Sequence, residues 1–230
     1  MNLPTRWHEF TEPAALAQAL ADSVAADLRA ALERRGYASI ALSGGKTPRR
    51  FLEMLARCEL DWSRVTVTLA DERWVAADDP RSNERLLRET LLQATGAKFV
   101  PLYRAVPAPD DAVVDVDVEI ALIGAPFDVI VLGMGLDGHT ASLFPDGDWL
   151  AEALDPRGSA RVAPMRAPGV DEPRMTLTLP VLVHARHLYL HIEGVVKRGV
   201  LESDAVARGA VPIGALLAAL RDPLDVFWAP

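Results

Sequence analysis

The 230-residue sequence contains one cysteine, Cys58, so no disulfide can form within the chain and the fold must rest on its own core. Cys58 lies in the apolar-periodic stretch Phe51-Leu52-Glu53-Met54-Leu55-Ala56-Arg57-Cys58 and reads as a small buried hydrophobe of a reducing compartment, not a catalytic thiol. Basic excess is also missing. Twenty-four Lys and Arg against 32 Asp and Glu leave a net charge of −8, which argues against non-specific nucleic-acid binding. A small anionic ligand would need a local cluster of donors on this acidic background. No run approaches the roughly 18 uncharged apolar residues that would span a bilayer. The alanine-rich segment from Ala14 to Ala31 is interrupted by Asp22, Asp27 and Arg29. The start, Met1-Asn2-Leu3-Pro4-Thr5-Arg6-Trp7, lacks the basic, apolar and small-residue order of a secretory signal, so the cytoplasm is expected. Metal-binding spacings are absent too: there is no His-Glu-x-x-His, no cysteine pair and no calcium loop, and no metal is expected.

About half of the residues are hydrophobic and a quarter charged, the balance of an ordinary globular chain, and the length suits a single domain over 1–230. Leu16, Leu20, Val24, Leu28 and Leu32 recur every four residues and end at Arg34-Arg35-Gly36, which predicts a helix with cations in its last turn and glycine beyond it. The apolar run Tyr37–Leu42, the glycine turn Ser43-Gly44-Gly45 and a helical pattern from Pro48 to about Arg57 follow. Val65–Ala70, ending in Asp71-Glu72-Arg73, precedes a helix near Ser82 to Leu92; Phe127–Leu132 ends in Gly133. Met175–Leu179 and His187–Ile192 also read as strands, the latter followed by a helix around Val195–Ser203. The acidic stretch Asp110–Glu119 is compatible with a helix or a weak edge strand. No repeat or linker interrupts the pattern. Alternating strands and helices imply an α/β fold with a mostly parallel sheet covered on both faces. In such sheets ligands bind beyond the carboxyl ends of the strands. Three polar clusters follow apolar runs directly and are expected to converge on one rim.

The first cluster, Ser43-Gly44-Gly45-Lys46-Thr47-Pro48, places glycines and hydroxyls where a helix begins, an arrangement that suits a phosphate; a plain turn with a helix cap is the alternative. It is not a P-loop, because Ile40 stands where that pattern needs glycine. The second, Asp71-Glu72-Arg73, reads as a solvated charge run or as site residues. Behind it, Asp78-Asp79-Pro80-Arg81-Ser82-Asn83 forms a turn and helix cap from which Arg81 can reach an anion. The third, Gly133-Met134-Gly135-Leu136-Asp137-Gly138, matches G-x-G-x-x-G after a strand. A dinucleotide site would need a long helix next, whereas His139-Thr140-Ala141-Ser142-Leu143-Phe144 runs into Pro145, which ends any helix after about two turns. The loop presents Asp137 and His139 at a strand end, and a histidine beside a carboxylate is a candidate general base. His8, His184, His187 and His191 read as structural.

Taken in order, these three clusters, with Trp74, Val75, Asp79, Ser82, Asn83, Arg174-Met175-Thr176-Leu177-Thr178 and Gly194-Val195-Val196-Lys197, resemble the 6-phosphogluconolactonase family. The resemblance covers most of the chain. It implies a Rossmann-like three-layer α/β/α fold shared with glucosamine-6-phosphate isomerases, no cofactor, and hydrolysis of 6-phosphogluconolactone in the oxidative pentose phosphate pathway. On this resemblance the general base falls on His139, with Asp137 in the same loop, Asp71 on the neighbouring strand end and Arg73 as the active-site arginine. Phosphate contacts fall on Ser43, Gly44, Gly45 and Thr47, with Lys197 and Arg81 supplying charge; Lys46 receives no role. The partner implied is a small phosphorylated sugar lactone, neither nucleic acid nor membrane, with the protein a monomer or small homo-oligomer. The rivals are a glucosamine-6-phosphate isomerase or deaminase and a non-catalytic sugar-phosphate sensor. The first usually carries a glutamate after the histidine loop, which Ala141–Pro145 lacks; no residues remain for the DNA-binding module of the second.

Overall fold

The computed structural model describes residues 5–45 and 47–230; Lys46 lies outside the described residues. Among the described residues ten strands occur in chain order: β1 (Thr5–Glu9), β2 (Ala38–Leu42), β3 (Val65–Leu69), β4 (Asp71–Arg73), β5 (Lys98–Val100), β6 (Val129–Leu132), β7 (Val162–Met165), β8 (Arg174–Leu177), β9 (His187–Glu193) and β10 (Leu224–Ala229). Seven of them form one sheet in the order β1-β10-β9-β6-β2-β3-β5. Every pairing in it is parallel.

Burial explains the strand composition. All five residues of β2 and all four of β6 are buried, as expected of strands covered on both faces, so β6 is continuously apolar and β2 is apolar but for Ser39, whose amide donates to Asp128. The long helix Pro13–Arg35 buries Leu16, Leu20, Val24 and Leu28. It closes on Gly36, whose φ of 80° is the left-handed conformation that glycine adopts freely, with its N–H donating to the Leu32 carbonyl at 2.8 Å. The acidic stretch resolves as a helix, Val113–Ile123, entered through a 3₁₀ turn at Pro109–Ala112. Among the described residues no helix is long and apolar enough to cross a membrane. Cys58 is half-buried and burial pushes its thiol up, away from the thiolate a nucleophile needs.

The chain leaves β2 toward β3 and β5 on one side, while β6, β9, β10 and β1 occupy the other. The switch therefore lies between β2 and β6, where a crevice opens at the carboxyl ends. There the Ser43 amide donates to the Val131 carbonyl at 3.0 Å.

Three sequence expectations change. Asp71-Glu72-Arg73 is itself a strand, and Met175–Leu179 does not join the parallel sheet: β4, β8 and β7 form a separate antiparallel sheet in the order β4-β8-β7. Ala70 is the hinge between the two sheets, donating to the Leu42 carbonyl and accepting from the Leu177 amide. Glu72 is fully buried instead of solvated. Its carboxylate accepts from the amides of Arg73, Asn83 and Glu84 and from the Ser82 hydroxyl. Burial pushes this carboxyl up to about 7 against the pull of those N–H groups. Finally, no helix follows His139. The segment is a chain of turns, with Thr140 bridged to Leu143 and Ala141 at a φ of 49°, a value that interrupts helical winding.

Candidate active site

A cavity of about 240 Å³ opens at the switch point, lined by all three sequence clusters. Ser43, Gly44, Gly45 and Thr47 form one wall, Asp71 and Arg73 a second, and Gly133 to Gly135 with His139 a third; Lys197 reaches in from the helix Val195–Leu201 after β9.

Each wall is held by a local contact. A Cβ on Gly44 would lie 1.9 Å from the Asn83 side-chain oxygen, so only glycine lets the turn pack there. Asn83 in turn donates through Nδ2 to the Asp71 carbonyl at 2.9 Å, tying the glycine turn to β4. Gly45 has a φ of 100°, which its residue type permits without strain. The Asp71 carboxylate accepts from the Ser142 hydroxyl at 2.5 Å, and the Ser142 amide donates to Thr176 Oγ1 at 3.1 Å, so β4, β8 and the histidine loop are pinned together.

The histidine loop folds back on itself, with the Gly135 amide donating to the His139 carbonyl at 2.9 Å and the Gly138 amide to Gly135 at 3.2 Å. This brings His139 Nδ1 to 2.6 Å from Asp137 Oδ1. A carboxylate only accepts, so Nδ1 carries a hydrogen, and in the neutral ring the lone pair is on Nε2. The ring packs against Phe144, centroids 4.6 Å apart, and its side chain is 31% exposed. It is thereby oriented from two sides while remaining open to the cavity. Asp137 stands behind the ring and does not line the cavity.

Arg73 lines the cavity with one guanidinium nitrogen donating to the Arg81 carbonyl, which among the described residues leaves its other donors uncommitted. Arg81 itself lies outside this cavity. It lines an adjoining one that shares Gly45, Arg73 and Asn83, and its guanidinium pairs with Asp79 at 2.8 Å and Glu172 at 2.5 Å. Lys197 forms no ion pair among the described residues. Burial lowers its pKa, while Glu193 opposes that shift.

Three neighbours received no site role from the sequence. Asn83 was read as a helix-cap residue and as part of the family resemblance. Arg174 lies opposite Arg73 on β8, its side chain only 11% exposed, and burial lowers its pKa. Its Nε and Nη1 have no hydrogen-bond partner among the described residues. His191, read as structural, lines the cavity. Arg174 belongs to the stretch that carries the family resemblance, but nothing in the local sequence places it or His191 at the site, because their placement depends on strand register.

A family model for glucosamine-6-phosphate isomerases/6-phosphogluconolactonase matches residues 11–222. The 6-phosphogluconolactonase of Rhizobium meliloti (strain 1021) is 51% identical over 228 residues, covering 97% of this chain and 98% of that protein. That of Mesorhizobium japonicum is 45% identical over 226 residues, covering 97% and 95%. Among solved structures, a 6-phosphogluconolactonase from Shewanella baltica OS155 superposes with a TM-score of 0.92 at 41% identity and covers 98% of both chains. With nearly full-length matches in both sequence and fold, the chain belongs to the glucosamine-6-phosphate isomerases/6-phosphogluconolactonase family.

Proposed function

We propose that the chain is an enzyme that hydrolyses 6-phospho-D-glucono-1,5-lactone to 6-phosphogluconate, the ring-opening step of the oxidative pentose phosphate pathway, acting as one cytoplasmic domain without a cofactor. The observation that carries this reading is the 2.6 Å His139–Asp137 contact on the wall of a cavity that the glycine turn and Lys197 also line. His139 Nε2 takes a proton from a water as it attacks the lactone carbonyl. Asp137 holds the ring in the required tautomer and stabilises the imidazolium that forms. The uncommitted donors of Arg73 face the oxygen that gains charge. Asp71, anchored by Ser142, borders the reacting end. The amides and hydroxyls of Ser43 to Thr47 together with Lys197 hold the phosphate, so that binding energy far from the reacting carbon orients it. Proton release on addition of freshly made 6-phosphogluconolactone, run beside ammonia release from glucosamine 6-phosphate, tests the reading; ammonia without lactone hydrolysis would replace it with the deaminase.

Replacing Lys197 by alanine is expected to raise KM for the phosphorylated lactone at least tenfold, because one charge-assisted phosphate contact contributes about 1.5–3 kcal/mol. In the wild type, KM is expected to climb with rising pH before the ordinary lysine range. Burial lowers the Lys197 pKa, so the ammonium is lost earlier. An unchanged KM and an unchanged preference over unphosphorylated gluconolactone would remove Lys197 from the phosphate site.

Among the described residues no group of three or more His, Cys, Asp or Glu side chains is arranged to hold a metal. Activity is expected to survive exhaustive dialysis against a chelator. Loss that zinc or magnesium restores would contradict the water-and-histidine mechanism.

A further inference from the structure

Two side-chain polar atoms on the cavity wall are buried without a hydrogen-bond partner among the described residues: Ser43 Oγ and His191 Nδ1. Buried polar groups are nearly always satisfied, so two orphans in one ligand cavity mark where a ligand's own polar group belongs. Ser43 is part of the proposed phosphate turn. His191 has no place in the mechanism above.

His191 stands near the carboxyl end of β9 and is 3% exposed. Phe51, from the helix after the glycine turn, packs against it edge to face with ring centroids 6.1 Å apart, and Phe227 is its register partner on β10. Its Nε2 lies 3.3 Å from Glu193 Oε1. A carboxylate only accepts, so in the neutral ring that nitrogen carries the hydrogen and Nδ1, without a partner among the described residues, is left bare in a side chain that lines the cavity. The other charged groups around this pair are Lys197 on the following helix and Arg50 on the helix Arg49–Leu55, both of which act on Glu193. Further along the same sheet face, Asp27 is engaged by the Tyr189 hydroxyl and His8 by Asp225. Lys197 and Arg50 are thus the two cations near an acid already committed to His191, and the same end of the cavity holds the glycine turn.

We propose that His191 contacts the phosphate of the substrate through Nδ1, as an imidazolium bridging Glu193 and the phosphate. This inference rests on the reading of Ser43 to Thr47 and Lys197 as the phosphate end. A phosphate dianion offers only acceptors, so Nδ1 must gain a proton to meet it. The incoming negative charge favours that proton, and Glu193 on the far side of the ring stabilises the resulting cation. The site then recognises phosphate with Lys197, His191, the Ser43 hydroxyl and the backbone of the turn, and both orphaned atoms are satisfied.

The test uses wild type, His191→Phe and His191→Gln, with inorganic phosphate and the two lactones as probes. In wild-type protein labelled at the histidine nitrogens, saturating inorganic phosphate is expected to move the His191 Nδ1 resonance from the bare-acceptor to the protonated position. His191→Phe is expected to weaken phosphate binding and raise KM for the phosphorylated lactone by roughly tenfold, well beyond any change in KM for unphosphorylated gluconolactone. His191→Gln, which restores an N–H donor, recovers most of that loss. An Nδ1 resonance unmoved by phosphate overturns the proposal, as does a KM change equal for both lactones. If the lactone is not turned over at all, the proposed function fails, while the phosphate titration still reads the His191 contact independently.

Discussion

Alanine in place of His139 is expected to lower kcat for 6-phosphogluconolactone by about 10²- to 10⁴-fold, the usual contribution of a general base, with KM changing much less. The reason is the division of labour across the cavity: the glycine turn and Lys197 are supplied by β2 and the helix after β9, so the phosphate end survives when the ring is removed. Thermal stability is expected to change little, because the ring is partly exposed and lies in a loop. Spontaneous lactone hydrolysis accelerates with pH and has to be subtracted first. A folded His139→Ala protein that keeps near wild-type kcat after subtraction excludes this residue as the base and transfers the role to Asp71.

The second large effect is expected from one methyl group. Gly135→Ala places a Cβ 2.2 Å from Cε1 and Nδ1 of His139 and 2.6 Å from Asp137 Oδ1, positions no real contact tolerates. Its backbone is not in the left-handed region, so the obstacle is space and not strain. Either the ring or the carboxylate must move, and a displacement of about 1 Å at a catalytic group costs on the order of 10²-fold in rate. We expect kcat to fall by that factor while KM for the phosphorylated lactone stays within a few-fold. Gly199→Ala is the control. It lies in the helix Val195–Leu201 with no atom within 4 Å of the added methyl, and is expected to stabilise the protein by about 0.4–1 kcal/mol. Near wild-type kcat in Gly135→Ala would show that the His139–Asp137 geometry is not needed for turnover.

Much of this architecture is legible in the chain itself. The helix Pro13–Arg35 was marked by a leucine or valine every four residues and by Gly36. The strands β2 and β6 were marked by nearly unbroken apolar runs, because burial on both faces leaves little room for polar residues, and β3 and β9 by apolar residues at alternate positions. The glycine turn and the Asp137–His139 loop were marked by residues whose backbone freedom or chemistry is unusual at a strand end. The edge strands β1 and β5, the terminal strand β10, and β4 and β7 were not read, and β8 was read as a strand but not as a member of a second sheet. They are short or polar, or are held by partners distant in sequence, as Asp71 is by Thr176.

What the sequence determined, then, is the set of local elements and the order of the three polar clusters, since helix periodicity, apolar runs and glycine turns are properties of neighbouring residues. Only the tertiary structure decided what those clusters face. Glu72, adjacent to Asp71 and as acidic, turns inward to accept from Ser82, Asn83 and Glu84, while Asp71 turns to the cavity; adjacent strand residues point to opposite faces, and which face is the site depends on the partner strand. Arg81 and Lys197 are both cations near the rim, yet Arg81 is taken by Asp79 and Glu172 and Lys197 is left to the cavity. His191 became a cavity residue with a bare nitrogen because β9 lies between β6 and β10, a pairing among segments far apart in the chain.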